Sequence, residues 1–129
     1  MGKNNSYHKM TRKDANDWSK LYNYVKHDVL GYGASQCLTR KQNLRLKGLS
    51  NGKYIDNKNI KNKVNYSYEV ILWTFKYSMP DIRNVLNTVQ FQDEEHKFNY
   101  ILKVVQSNID TVQNKLQEIN NKKNNDMQT

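Results

Sequence analysis

Residues 66–77 read YSYEVILWTFKY and form the most hydrophobic segment of the chain. Its apolar side chains fall on two faces at helical spacing, the first made of Tyr68, Ile71, Leu72 and Phe75 and the second of Val70, Trp73 and Tyr77. This spacing favours an α-helix, although the β-branched and aromatic content also suits a strand. Because both faces are apolar, we expect a central helix that is buried nearly all round. We expect the helix to end at Pro80.

Amphipathic helices are predicted on both sides of this segment. Ser78 and Asp81 have the spacing of an N-cap pair for the next helix, whose apolar residues repeat on one face: Ile82, Val85, Leu86 and Val89. Upstream, a helix from about Asp14 to Leu30 has a similar apolar face, made of Trp18, Leu21, Tyr22, Val25 and Val29. Gly31 follows and suits the left-handed residue that ends a helix.

A basic helix is predicted between these regions. Thr39 and Gln42 fit a capping box, so this helix should run from about Arg40 to Ser50. Its leucines are expected to be buried and its cations to face outward, with Leu44, Leu46 and Leu49 in the first group and Arg40, Lys41, Arg45 and Lys47 in the second. Residues 53–65 have few apolar anchors, and either a short helix around Asn57–Lys63 or a small hairpin fits them.

The last helix is predicted to start at three acidic residues, Asp93, Glu94 and Glu95, which the positive end of the helix dipole favours. Its apolar residues keep heptad spacing over three repeats: Phe98, Leu102, Val105, Ile109, Val112, Leu116 and Ile119. Two interpretations fit this stripe. Either it packs onto the rest of the chain, or it is the seam of a homodimer formed by Leu102, Val105, Ile109, Val112, Leu116 and Ile119.

Together these patterns predict an all-α fold, a single compact domain of about five helices with a long C-terminal heptad helix. The helical domain is expected to span residues 14–119. Residues 1–13 are expected to form a flexible basic arm and residues 120–129 a disordered tail, because neither segment has an apolar period.

Positive charge is concentrated in the first half of the chain. The 129 residues contain 21 Lys and Arg against 12 Asp and Glu, which gives a net charge of +9. Residues 1–65 carry +10 and residues 66–129 carry −1, and between residues 38 and 65 eight cations face a single acid, Asp56. The chain has 19 Asn and 17 Lys but only 4 Arg, the usage of an AT-rich genome, so the asymmetry is more informative than the total.

This asymmetry predicts an anionic polymer as partner, because phosphates relieve the repulsion between clustered cations and release counterions. We expect double-stranded DNA to bind residues 39–63, where Arg and amide side chains suit base edges and lysines suit phosphates. The expected contacts are Arg40, Lys41, Gln42, Asn43, Arg45, Lys47, Lys53, Lys58, Lys61 and Lys63. RNA is the second choice, and an acidic partner protein is the alternative from another class. Single strands fit less well, because several tyrosines, Tyr77 among them, lie in segments expected to be core.

The sequence has no constellation for catalysis, a cofactor or a metal ion. Cys37 is the one cysteine, and the 3 histidines share no ligand spacing with it. The run from Asp93 to His96 has the composition of a metal cluster, but consecutive helical residues point in different directions. We therefore expect a non-enzymatic protein without a cofactor or a small-molecule substrate. No apolar run is long enough for a signal peptide or a membrane span, so we expect no membrane partner and a cytoplasmic location.

Two short runs, LRLKGLSNGKY at 44–54 and NYSYE at 65–69, resemble small basic proteins carried by plasmids and phages of AT-rich Gram-positive bacteria. This resemblance implies an accessory role in a mobile element, in replication, copy-number control or transcription regulation. It assigns no role to an individual residue.

Overall fold

The hydrophobic segment at 66–77 lies largely within one long helix of the computed structural model, which describes residues 11–51 and 66–127. Within these ranges the chain has four α-helices and no strand. The helices are α1 (Arg12–Asn23), α2 (Arg40–Gly48), α3 (Tyr68–Thr88) and α4 (Glu94–Met127). A π-helical turn, Tyr24–Val29, continues α1, and a 3₁₀ turn, Leu49–Asn51, continues α2. The all-α prediction is confirmed for this part of the chain, which has four α-helices where about five were expected.

Helix α3 continues through Pro80, where the sequence pattern predicted an end. A proline in a helix interior removes one backbone hydrogen bond and costs about 3 kcal/mol. Burial on either side offsets this cost, because Met79 is 8% exposed and Ile82 is fully buried. Ser78 is accordingly not a helix cap: its buried hydroxyl accepts a hydrogen bond of 2.9 Å from the amide Nδ2 of Asn108 in α4. The two helices expected on either side of Pro80 are therefore one.

Helix α3 is also the centre of the hydrophobic core, where it contacts α1, the π-helical turn and α4. The largest fully buried side chains come from all four helices, and they include Leu21, Leu46, Phe75, Ile82 and Phe98. Trp18 of α1 packs against Tyr68 at the start of α3, with ring centroids 5.1 Å apart. The expectation of a helix buried nearly all round is wrong for one side of α3, because Trp73 is 46% exposed and Tyr77 is 49% exposed.

Helix α1 begins at Arg12, two residues earlier than predicted, because Thr11 caps it. The Thr11 hydroxyl accepts a hydrogen bond of 3.0 Å from the backbone N–H of Asp14. Residues 12 and 13 of the expected basic arm are therefore helical, and residues 1–10 lie outside the described residues. After the π-helical turn, Gly31 has a φ of 70°, which confirms it as the left-handed residue that ends the helix.

Polar contacts hold segment 31–38 against α1 and the π-helical turn, and so position α2. Nζ of Lys26, a side chain that is 8% exposed, donates a hydrogen bond of 3.2 Å to the carbonyl of Ala34. The Tyr22 hydroxyl accepts a hydrogen bond of 3.1 Å from the backbone N–H of Leu38. Helix α2 then starts at the predicted capping box of Thr39 and Gln42, which the structure confirms.

The leucines of α2 divide between core and solvent. Leu46 and Leu49 are fully buried as predicted, whereas Leu44 is 61% exposed. Two residues of helix turn a side chain by about 200° around the axis. Leu44 and Leu46 therefore point to opposite sides of α2, and the prediction that all three leucines are buried is wrong for Leu44.

Tyr66 joins three parts of the chain. Its backbone N–H donates a hydrogen bond of 2.7 Å to the carbonyl of Ser50, so the two described ends of segment 51–65 lie side by side. Its ring is buried, and its hydroxyl donates a hydrogen bond to a carboxylate oxygen of Asp110 in α4. Burial, together with this bond, raises the pKa of Tyr66 to about 12. The short helix or hairpin predicted at 53–65 lies outside the described residues.

Helix α4 runs to Met127, beyond the end near residue 119 that the apolar pattern indicated. No glycine or proline interrupts residues 94–127, so the sequence supplies no signal that would end the helix earlier. Residues 120–127 are thus helical where a disordered tail was predicted. None of the helices in the described ranges combines the length and the apolarity needed to cross a membrane.

The heptad stripe of α4 packs into the core along most of its length. Its first five members are buried: Phe98, Leu102, Val105, Ile109 and Val112. Ile101 is fully buried beside them, which makes the buried face wider than the seam of a two-stranded coiled coil. The chain itself therefore covers Leu102, Val105, Ile109 and Val112, and the predicted dimer seam is wrong for these four residues. Leu116 is half-buried and Ile119 is 53% exposed.

Truncation of the stripe should have very different effects at its two ends. Leu102→Ala should lower the free energy of unfolding by about 2–5 kcal/mol, because it leaves a cavity in the core. Ile119→Ala should change it by about 0.5 kcal/mol or less, because that side chain is largely in solvent. Urea denaturation followed by circular dichroism measures both, and equally small losses would contradict the packing of α4 against α3.

Tyr66→Phe should lower the free energy of unfolding by about 1 kcal/mol at neutral pH, because it removes the hydrogen bond to Asp110. Since the raised pKa means that folding favours the protonated hydroxyl, this contribution is complete below pH 10 and is lost as the pH rises through about 12. The variant should therefore lose less stability than the parent over that interval. Urea denaturation at several alkaline pH values measures this difference.

The control is Tyr100→Phe, which removes the hydroxyl of an exposed tyrosine on α4. That hydroxyl forms no hydrogen bond with another described residue. If Tyr66→Phe is no less stable than Tyr100→Phe at neutral pH, Tyr66 does not stabilise the fold through Asp110.

Candidate nucleic-acid interface

Helix α2 presents part of the predicted DNA-binding set to solvent. Arg40, Leu44 and Lys47 stand at i, i+4 and i+7, so they share one side of the helix, and all three are exposed. Lys41 is exposed beside them, on the side that faces α4. We name these four residues the basic face of α2. Arg40 forms no ion pair with another described residue.

Glu95 of α4 is the acidic counterpart of this helix. One of its carboxylate oxygens lies 2.9 Å from Nζ of Lys41 and 3.0 Å from a guanidinium nitrogen of Arg45. Hydrogen bonds from Lys41, and then from Arg45, lower the pKa of Glu95 from its ordinary value. Arg45 also donates a hydrogen bond to the side-chain oxygen of Asn99, and it is half-buried. Arg45 therefore ties α2 to α4, whereas it was expected to face outward.

Sequence reasoning did not identify Glu95 as a partner of α2. The acids at 93–95 were predicted to complement the dipole of the last helix, and Glu94 and Glu95 do lie in its first turn. A contact with Arg45 spans 50 positions of the chain, and no local pattern in the sequence indicates it. The sequence indicates such a contact only in general terms, through three consecutive acids at 93–95 in a chain whose first half carries a net charge of +10.

The side chain of Gln42 points inward and is 6% exposed. Its Oε1 accepts a hydrogen bond of 2.8 Å from the backbone N–H of Thr39, and its Nε2 donates one of 3.1 Å to the Tyr32 hydroxyl. The prediction that Gln42 reads a base edge is therefore wrong, because both ends of its amide are bound within the protein. Asn43 is half-buried, with its Nδ2 3.5 Å from the carbonyl of Leu38.

Tyr32 extends this network to α4. Its hydroxyl donates a hydrogen bond of 2.6 Å to a carboxylate oxygen of Glu94 while it accepts the bond from Gln42. The bond from Tyr32 is the largest cause of a pKa of Glu94 below its ordinary value, and Lys97 contributes in the same direction. The N-terminal ends of α2 and α4 are therefore joined through one tyrosine.

A cavity of about 310 Å³ opens between these two helix ends. Its lining includes Lys41, Arg45 and Glu95 at polar positions and Phe98 at an apolar one. The ion pairs of Glu95 thus lie in a concave surface. In the last turn of α2, Nζ of Lys47 lies 5.1 Å from the centre of the Trp18 ring, a cation–π distance that leaves its positive charge unneutralised.

The remaining predicted contacts, Lys53, Lys58, Lys61 and Lys63, lie outside the described residues. The structure therefore brings together Arg40, Lys41 and Lys47 on one exposed surface and places Gln42 and Arg45 at the interface with α4. Two described residues near the C-terminal end of α2, Ser50 and Tyr66, are joined by a backbone hydrogen bond.

The Asp93–His96 run forms a helix cap. A carboxylate oxygen of Asp93 accepts a hydrogen bond of 2.8 Å from the backbone N–H of His96, and Nδ1 of His96 accepts one of 3.1 Å from the backbone N–H of Gln92. In the described part of the chain, no group of three or more His, Cys, Asp or Glu residues is placed to hold a metal ion. Cys37 is exposed.

Tyr32→Phe should raise the pKa of Glu94 toward its ordinary value of 4.5, because the variant lacks the hydroxyl that stabilises the carboxylate. In the parent, the contribution of Glu94 to stability is present above pH 4.5 and is lost as the pH falls through the lowered pKa, so the variant should lose less stability in acid. Carboxyl titration by NMR measures the change. Glu95 is the internal control, because Lys41 and Arg45 hold it in both proteins. An unchanged Glu94 midpoint would contradict the role assigned to Tyr32.

Comparison with known proteins identifies the family of the chain. Searches found no matching curated protein and no matching solved structure. The family model for SPbeta prophage protein YorH, however, matches residues 2–129, which is nearly the whole chain. A phage origin is thereby supported, as the two short runs at 44–54 and 65–69 implied. The chain belongs to the SPbeta prophage protein YorH family.

Proposed function

We propose that this prophage protein binds double-stranded DNA through the basic face of α2, as a non-enzymatic accessory protein in replication, copy-number control or transcription regulation. One observation carries the proposal. Helix α2 and its cap contain Arg40, Lys41, Arg45 and Lys47 and no acid, and Glu95 is the one described carboxylate that pairs with them.

The cations of α2 that do not pair with Glu95 are placed to meet phosphates. Arg40 and Lys47 are exposed and have no carboxylate partner among the described residues. Both project from one side of a nine-residue helix, which is about 13 Å long. Cations held on a rigid element lose little freedom when they bind, and each phosphate that they neutralise releases counterions from the DNA.

This arrangement supports binding to the backbone of DNA more than reading of its sequence. Gln42, which was expected to contact a base edge, is bound to Thr39 and Tyr32. Arg45, which was also expected to contact a base edge, is bound to Glu95 and Asn99. Phosphate contacts give affinity and orientation without sequence information. The proposed contacts of α2 are therefore Arg40, Lys41 and Lys47.

Glu95 gives the proposed surface an internal competitor. Its carboxylate accepts hydrogen bonds from Lys41 and Arg45, as a DNA phosphate oxygen would. A phosphate that reaches Lys41 must therefore displace Glu95 or share the cation with it. We infer that removal of this carboxylate strengthens binding to DNA.

The double variant Arg40→Gln/Lys47→Gln should bind a random-sequence duplex more weakly, with a salt dependence reduced by about 2 in the slope of log K against log salt concentration. Fluorescence anisotropy at several salt concentrations measures both quantities. The matched control is Lys20→Gln/Lys103→Gln, which removes two exposed cations from α1 and α4. Glu95→Gln should change affinity in the opposite direction, with tighter binding and a steeper slope.

If the parent does not bind duplex DNA at low salt, the proposal is wrong and an acidic partner protein becomes the better candidate for the basic face. If the two double variants have equal slopes, DNA binds elsewhere on the chain. Tighter binding of an A-form RNA duplex of the same length would replace DNA with RNA as the ligand.

A further inference from the structure

A strip of aromatic rings and lysines crosses the exposed side of α3. Trp73 and Tyr77 stand one helical turn apart, and each is close to half exposed, with values of 46% and 49%. Tyr24 of the π-helical turn and Lys115 of α4 flank them, and Lys76 lies between the Tyr24 and Trp73 rings. We name these five residues the aromatic strip. The predicted buried face of α3 is thus partly an open surface.

Every ring in the aromatic strip has an ammonium group beside it. Nζ of Lys76 lies 4.8 Å from the centre of the Trp73 ring and 5.6 Å from that of Tyr24. Nζ of Lys115 lies 5.6 Å from the centre of the Tyr77 ring. These cation–π contacts hold flexible lysines close to the rings while their positive charge remains available. One face of the molecule therefore has three contacts between an aromatic ring and an ammonium group.

Neither lysine is neutralised by a described carboxylate. Asp81 follows Tyr77 by one turn of α3 and Glu118 follows Lys115 by one turn of α4, but no ion pair joins an acid to Lys76 or Lys115 within the described residues. The charged groups near Tyr24 are Asp28 and Arg83, which have opposite sign. An anionic ligand can thus meet both lysines without first breaking a salt bridge.

We propose that the aromatic strip binds the unpaired bases of a single-stranded nucleic acid. Exposed aromatic rings stack on base faces, and a cation next to each ring meets the phosphates that link stacked bases. The rings of Trp73 and Tyr77 belong to positions i and i+4 of one helix, so they are neighbours and can take successive bases. In a duplex these base faces are covered by other base pairs, so the strip selects single strands.

This second surface is independent of the basic face of α2. The strip is built from the π-helical turn, α3 and α4, and it shares no residue with α2. Substitutions in one surface should therefore leave the ligand of the other unaffected. A protein with both surfaces would bind a duplex and an unpaired strand. This inference extends the proposed function and does not depend on it.

Tryptophan fluorescence reports directly on the strip. The chain has 2 tryptophans, and Trp18→Phe leaves Trp73 as the single fluorophore. Titration of this variant with short oligothymidine and oligouridine should quench the fluorescence of Trp73, because a stacked base contacts the indole ring. A duplex of equal length should cause much less quenching. The comparison of the two oligonucleotides distinguishes DNA from RNA as the preferred strand.

Four variants of the otherwise unchanged protein test the individual contacts by anisotropy. Trp73→Ala and Tyr77→Ala should each weaken single-strand binding by about tenfold. Lys76→Gln and Lys115→Gln should each reduce the salt slope, by about 0.7 for one lost contact to a single strand. The matched controls are Tyr100→Ala and Lys103→Gln, which alter an exposed tyrosine and an exposed lysine of α4 outside the strip and should bind like the parent.

Three results would overturn the proposal. The first is an absence of quenching by either oligonucleotide at low salt. The second is single-strand binding that Trp73→Ala, Lys76→Gln and Lys115→Gln all leave at the level of the parent. The third is a concentration-dependent dimer, observed by sedimentation, that Trp73→Ala abolishes without any effect on single-strand binding. That result would make the strip an interface between copies of the chain.

The Arg40→Gln/Lys47→Gln variant separates this test from that of α2, because it should lose duplex affinity and keep single-strand affinity.

Discussion

The packing of α3 against α4 is the constraint on which the rest of the structure depends. Phe75 and Phe98 are almost completely buried, and the bond between Ser78 and Asn108 satisfies polar groups within the same contact. Because Met79 and Ile82 are buried on either side of Pro80, the helix continues where a proline would otherwise break it. This pair of helices also positions both candidate surfaces, because the aromatic strip lies on the exposed side of α3 and the N-terminal end of α4 supplies Glu95, the partner of Lys41 and Arg45 in α2.

Local chemistry is what the sequence predicts well in this chain. The capping box of Thr39 and Gln42 and the left-handed Gly31 depend on neighbours within a few residues, and both are confirmed. Pro80 was predicted to end a helix because its local cost is known, whereas the burial of Met79 and Ile82 that offsets this cost depends on the tertiary fold. The predicted burial of Trp73 failed for a related reason: hydrophobic spacing identifies apolar faces, but it does not say how many of them have a neighbour to pack against.

The same distinction applies to the candidate site, where the sequence predicts the excess of positive charge but not which cations are paired within the fold. The excess of cations in α2 is visible in composition, and their exposure at Arg40 and Lys47 agrees with the prediction. Which of these cations are paired with an acid of the same chain depends on the tertiary fold. Glu95 comes from the other half of the chain, and its bonds make Arg45 part of a junction between helices and pair the exposed Lys41 with an acid. Family membership agrees with a mobile-element origin. The proposed biochemical role rests on the two surfaces instead.

The hydrogen bond between Tyr66 and Ser50 has a consequence for how much the length of the connection between them can vary. It joins the backbone at two described residues that are 16 positions apart in the sequence. When the ends of a connection are already held together, doubling the length of an inserted flexible loop costs only about 0.6 kcal/mol in closure entropy. An insertion between Ser50 and Tyr66 is therefore expected to cost the helical core little stability.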